Sequence, residues 1–111
     1  MKTYSADQLE EVINARSRFA MLACLNAAGT TDFQTLCDQV EITSGNLSQH
    51  LARLEEAGYV TTDRVMVDRR PKTMVTLTEA GRRAFVDYVV AMRNMVRDVP
   101  DPVAQLRKKK P

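Results

Sequence analysis

Ser44-Gly45-Asn46-Leu47-Ser48-Gln49-His50-Leu51-Ala52-Arg53-Leu54-Glu55-Glu56-Ala57-Gly58-Tyr59-Val60 is the stretch that decides how this chain folds. Ser44 opens a helix, Gly58 stops it, and Leu47, Leu51 and Leu54 recur at the spacing of one buried face. At 100° per residue the opposite side collects Gly45, Asn46, Gln49 and Arg53, flanked by Ser48 and His50. Asn and Gln side chains match the adenine edge, Arg matches guanine, and a glycine in the first turn permits close backbone approach. Glu55 and Glu56 sit at the far end, where they would repel phosphate. The N-terminal half is therefore the end suited to a DNA groove. The plain alternative is a solvated polar face on a core helix.

The pattern changes after this helix. Tyr59 to Val67 and Thr73 to Leu77 are rich in Val, Thr and Met, and the segment between them is Asp68-Arg69-Arg70-Pro71-Lys72. This predicts a β-hairpin with a charged tip. Arg69, Arg70 and Lys72, with Arg64 nearby, suit a phosphate row or the minor groove. On an isolated hairpin the same charges would only discourage edge pairing.

Upstream, Ser5, Gln8, Tyr4 and Leu9 make a capping box and staple for a first helix carrying Val12 and Ile13. Ser17 is expected to cap a second helix with Phe19, Leu22, Ala23 and Leu25, ended by Gly29. Thr30-Thr31-Asp32-Phe33 suggests a very short strand, and Leu36, Cys37 and Val40 a short third helix. Glu41-Ile42-Thr43 is then a tight turn into the fourth helix, and Thr78 caps a fifth running to about Arg97. Two short helices across such a turn form a helix-turn-helix, and a hairpin directly behind them is a wing. The expected class is mainly α with a β-hairpin wing, α+β, a winged helix-turn-helix that dimerises through its terminal helices.

The fifth helix is apolar round most of its circumference. Nine of the twelve residues from Phe85 to Val96 are apolar, which calls for a second surface. Phe85, Tyr88, Val89, Met92, Met95 and Val96, joined by Val12 and Ile13, are the expected seam of a homodimer. A fully buried core helix is the competing reading. A membrane-lying helix would need a strongly basic polar face, which Arg83, Asp87, Asn94 and Asp98 do not supply.

Composition narrows the function classes. The chain has 111 residues, which predicts one domain over residues 1–99 and a basic, flexible tail over 100–111. Aromatics are 5% and Trp is absent, so a base-stacking platform for single strands is not expected. The net charge of +2 hides an asymmetry: residues 1–60 carry four basic and eight acidic side chains, residues 61–111 twelve and six. Cys24, Cys37 and His50 lack the short spacing of metal ligands, and no nucleophile–base set or phosphate-binding glycine loop occurs. No metal, cofactor or enzymatic activity is therefore expected. His50 is read either as a phosphate donor or as packing at the helix flank. The N-terminus leads into acidic residues rather than an apolar signal region, and no apolar run is long enough to cross a bilayer. A cytoplasmic protein without membrane contact is the expectation.

Ser44 to Val60, with Asp68-Arg69-Arg70-Pro71-Lys72 and Leu77-Thr78-Glu79-Ala80-Gly81-Arg82, resembles the recognition helix, wing and following helix of small regulators of the MarR and ArsR families. The resemblance spans about residues 15–96. It implies a homodimeric transcriptional regulator, read here as a repressor on a palindromic double-stranded operator. The DNA-contacting roles then fall on Ser44, Asn46, Ser48, Gln49, His50 and Arg53, with Arg69, Arg70 and Lys72 in the wing. Where ArsR-type sensors often place paired cysteines, Cys37 stands alone. Nothing in the residues names a small-molecule effector. The competing function is a winged helix used for protein–protein contact without DNA.

Overall fold

In a computed structural model the backbone is described for residues 6–101, 103, 104 and 106, and side chains from Ala15 onward within that range. The element order is α1 (Ala6–Ala28), β1 (Thr30–Asp32), α2 (Phe33–Val40), α3 (Ser44–Glu56), β2 (Val60–Val67), β3 (Arg70–Leu77) and α4 (Glu79–Val96). The expected first and second helices are one continuous helix, α1. Ser17 does not cap it. No Gly or Pro interrupts residues 6–28, and the Asn14-Ala15-Arg16-Ser17-Arg18 stretch costs a helix only tenths of a kcal/mol per residue, about 0.7 at most. The capping residues Tyr4 and Ser5, and the side chains of Gln8, Leu9, Val12 and Ile13, lie outside the described residues.

The remaining boundaries follow local chemistry. Gly29 and Gly58 end α1 and α3 with φ of 79° and 80°, the left-handed region that glycine enters without a Cβ penalty. Asp32 caps α2: its carboxylate accepts from the Thr35 amide at 3.1 Å and from the Thr35 hydroxyl at 2.6 Å. Those bonds, the hydroxyl first, hold its pKa below the usual 3.8, with the Lys72 charge adding to them. Glu41 takes the left-handed conformation that turns α2 into α3, and its amide bonds to the Cys37 carbonyl at 2.8 Å. Thr43 caps α3 and Thr78 caps α4.

The sheet order is β1-β3-β2, antiparallel throughout. Its inner face packs on the helices. Met21 and Leu25 of α1, Leu36 and Cys37 of α2, Leu47, Leu51 and Leu54 of α3, and Val60, Val75 and Leu77 of the sheet form one buried core. The three leucines of α3 therefore face inward, at the expected i, i+4, i+7 spacing.

The hairpin differs from expectation at its tip. In place of a five-residue charged loop, Asp68 and Arg69 alone form the turn, with φ of 50° and 67°. Positive φ at both central positions is the signature of the tight turn that matches strand twist. Arg70 and Lys72 thus belong to β3, paired with Val67 and Val65.

A candidate nucleic-acid interface on the recognition helix and wing

The outer face of α3 is open. Ser44, Gly45, Asn46, Ser48, Gln49 and Arg53 are all exposed. The helix start is held by the Thr43 hydroxyl, which accepts from the Asn46 amide at 3.2 Å. A Cβ added at Gly45 would meet nothing within 4 Å, so packing in this chain does not require glycine there.

His50 departs from its expected place on that face. It is only 8% exposed and counts among the buried residues of α3. Its pKa lies below the usual 6.5, first because burial disfavours the imidazolium, then because Arg18 of α1 and Arg53 add positive charge. A neutral ring packed inside the fold does not offer a phosphate a charged donor. Of the two sequence readings, this geometry matches packing. At 100° steps His50 lies beside Leu47, Leu51 and Leu54, and α1 closes over that side.

Strand register sorts the wing charges onto two faces, because directly paired residues in adjacent strands share a side and alternate along each strand. Val60, Thr62, Arg64 and Met66 share one face with Leu77, Val75, Thr73 and Pro71. Asp63, Val65 and Val67 share the other with Met74, Lys72 and Arg70. The first face is buried at its base, where Val75 is fully enclosed. Further out it meets α3: Arg64, Thr62 and Thr73 line a groove with Ser48, Leu51, Glu55 and Phe33. Arg64 is therefore grouped with the recognition helix, Arg70 and Lys72 face away from it, and Arg69 stands at the turn. Sequence spacing placed all four together; the register divides them.

Two ties that spacing did not reveal brace this surface. The Thr62 hydroxyl donates to the Glu55 carboxylate at 3.2 Å, joining the end of α3 to the wing base. The Thr78 hydroxyl donates to the Gly58 carbonyl at 2.7 Å while accepting from the Gly81 amide at 3.0 Å. The start of α4 is thus fastened to the turn that ends α3. The pairs join residues 7 and 20 positions apart, and Thr and Glu are too common on surfaces to have marked them.

On the opposite side, α4 leans on α1. Phe19 packs against Phe85 and Tyr88 with ring centroids 5.4 and 5.1 Å apart, and Arg82 donates to Asn26 at 3.2 Å. Phe85 and Val89 are half-buried there, whereas Val86, Tyr88, Val90, Met92, Met95 and Val96 remain exposed. A cavity of about 300 Å³ between these helices is lined by Arg18, Phe19, Leu22, Tyr59, Phe85 and Tyr88, among others. Arg18 Nη1 is buried and has no hydrogen-bond partner among the described residues. Cys24 and Cys37 are free thiols, and burial pushes the Cys37 thiol up. Among the described residues no group of three or more His, Cys, Asp or Glu gathers as metal ligands would, and no helix is long and apolar enough to cross a membrane.

Known proteins resemble this chain in sequence or in fold. An uncharacterized protein of Methanocaldococcus jannaschii is 32% identical over 89 residues, covering 80% of this chain and 97% of that protein. A transcriptional regulator homologue from Pyrococcus horikoshii OT3 superposes with a TM-score of 0.71 at 23% identity, covering 86% of this chain and 99% of that one. A MarR-family transcriptional regulator from Silicibacter pomeroyi gives a TM-score of 0.53 at 26% identity, covering 83% of this chain and 67% of that one. Residues 17–96 match the family model described as a winged helix DNA-binding domain, which takes in α2, α3, the whole wing and α4. The chain belongs to this family of winged helix DNA-binding domains, and its fold is that of transcriptional regulators.

Proposed function

We propose that the chain is a homodimeric, sequence-specific regulator of transcription that binds double-stranded DNA as a repressor. The recognition segment 44–57 enters the major groove through Ser44, Gly45, Asn46, Ser48, Gln49 and Arg53. The wing, residues 64–73, lies on the neighbouring backbone or minor groove through Arg64, Arg69, Arg70 and Lys72. The carrying observation is the exposed polar face of α3 with Arg64 in the groove beside it. Two further features support it. Gly45 answers no packing need, although glycine costs a helix about 1 kcal/mol relative to alanine. Arg69 occupies a left-handed turn position at the end of the wing that glycine would take with less strain.

Dimerisation would cover the exposed apolar side of α4. Val86, Val90, Met92, Met95 and Val96 expose more apolar surface than an isolated helix face needs. A two-fold partner presents the same patch in return, and Val12 and Ile13 would extend the seam. In this reading residues 1–99 form the DNA-binding and dimerising unit, 100–111 a basic tail, and the operator is a palindrome with half-sites about one DNA turn apart.

Selection of bound duplexes from a random pool tests this. A palindromic motif, with affinity falling about 10³–10⁵-fold between ~50 and ~200 mM salt, is the expected result. Absence of duplex binding even at low salt would overturn it in favour of a protein-contact role.

A further inference from the structure

The wing carries apolar surface that the fold does not use. β1 ends at Asp32, opposite Met74, so the four rungs from Arg64–Thr73 to Val67–Arg70 project as a two-stranded ribbon. On its α3-facing side, outward of Arg64, the ribbon ends in a single cross-strand pair, Met66 and Pro71. Met66 is 67% exposed. A proline fits here because β3 has only one neighbouring strand at this level. Among the described residues nothing covers the pair, and threonine would serve a solvated ribbon as well.

The setting of the pair identifies what it meets. It lies on the same face as Arg64, which borders the α3 groove, and Arg69 stands just beyond it at the turn. Residues 63–73 hold four basic side chains against two acidic ones, Asp63 and Asp68. An apolar rung flanked by Arg64 and Arg69 on a net-basic ribbon matches a duplex minor groove, where a Met or Pro side chain can press between base pairs while Arg and Lys hold the phosphates.

From this we infer that Met66, backed by Pro71, is an apolar wedge that enters the minor groove beside each half-site and partly unstacks one base step. This inference rests on the DNA-binding reading above. The wedge adds specificity without hydrogen bonds to bases, because pyrimidine–purine steps open more readily than others. One flanking step per half-site should then prefer TA or CA by about tenfold, within what one base-pair position is ordinarily worth.

The test uses duplexes selected by the full chain from a random pool, with 2-aminopurine placed at each flanking position in turn. Unstacking relieves quenching, so wild-type protein should raise fluorescence at one step per half-site. Met66→Thr should keep the fold and still bind, but abolish the rise and the step preference; Met66→Leu should restore both. Wild-type binding with no rise at any position, or an undiminished rise with Met66→Thr, would overturn the wedge alone. Failure of the wild-type protein to bind any duplex would overturn the DNA-binding reading and the wedge with it.

Discussion

Gly81 is seated directly on the main chain of Tyr59. A Cβ at Gly81 would overlap the Tyr59 carbonyl oxygen and lie 2.9 Å from its carbonyl carbon and 2.7 Å from Leu77 Cδ1. The same Tyr59 carbonyl accepts from the Thr78 amide at 3.0 Å. The helix that leads to the proposed dimer seam is therefore locked to the turn that closes the recognition helix, with no room for a methyl group.

Gly81→Ala should destabilise the protein even though alanine is the better helix former. The propensity gain is at most about 1 kcal/mol, whereas forced overpacking costs about 1–3 kcal/mol and here strikes rigid backbone. Urea denaturation should show a lower midpoint with an unchanged slope. A midpoint equal to or above wild type would mean that α4 can slide away from Tyr59.

Gly45→Ala should behave in the opposite way. The site is open, so stability should hold or rise by up to about 1 kcal/mol. Affinity for the selected operator should nevertheless fall, because the methyl group stands between the helix and the bases. Parallel melting and DNA-titration curves check both halves. Unchanged affinity would remove this turn from the interface.

Arg53→Ala should weaken binding to the selected operator by about 1–3 kcal/mol and relax preference at one base pair, if the guanidinium reads a guanine. Competition among single-base variants of the operator measures this. An identical preference profile would assign Arg53 to phosphate or to solvent.

His50 should make stability fall at mildly acidic pH. Its folded pKa is below 6.5, so the unfolded chain takes up the proton more readily than the folded one. The contribution is complete above about pH 6.5 and is lost as pH falls through the folded value. Asp32, with a pKa held below 3.8, acts only in more acidic solution. His50→Gln should flatten the slope just below pH 6.5, and Arg18→Met should move the imidazole titration upward by removing a neighbouring cation. Chemical-shift titration and denaturation at several pH values read these effects. A His50 titration at or above 6.5 would contradict the burial seen here.

Met92→Asp should dissociate the proposed dimer while sparing the fold. Met92 is 38% exposed in the single chain, so its own core loses little. In a symmetric seam two carboxylates would be buried together, lowering dimer affinity by about 100-fold or more. Sedimentation equilibrium distinguishes the outcomes. An intact dimer would place the seam elsewhere.

Much of this molecule was legible one element at a time. The leucine spacing of α3, the stops at Gly29 and Gly58, the cap at Thr78 and the Val, Thr and Met-rich runs of the hairpin are local signals. Each depends on groups within a few residues of one another, so order along the chain was enough to place a wing behind a helix-turn-helix. The exposed polar side of α3 followed from the same periodicity. Tertiary structure decided the rest, because it depends on which distant surfaces meet. Whether Ser17 would start a new helix was decided by the continuity of α1 through it, which a capping preference does not forbid. Burial of His50 and the charge of Arg18 beside it arise only when α1 and α3 come together. The division of Arg64 from Arg70 and Lys72 required a strand register, a relation between two segments that neither contains alone. The need for glycine at Gly81 arose only when α4 came to rest on Tyr59, a contact between backbones that leaves no mark in local pattern.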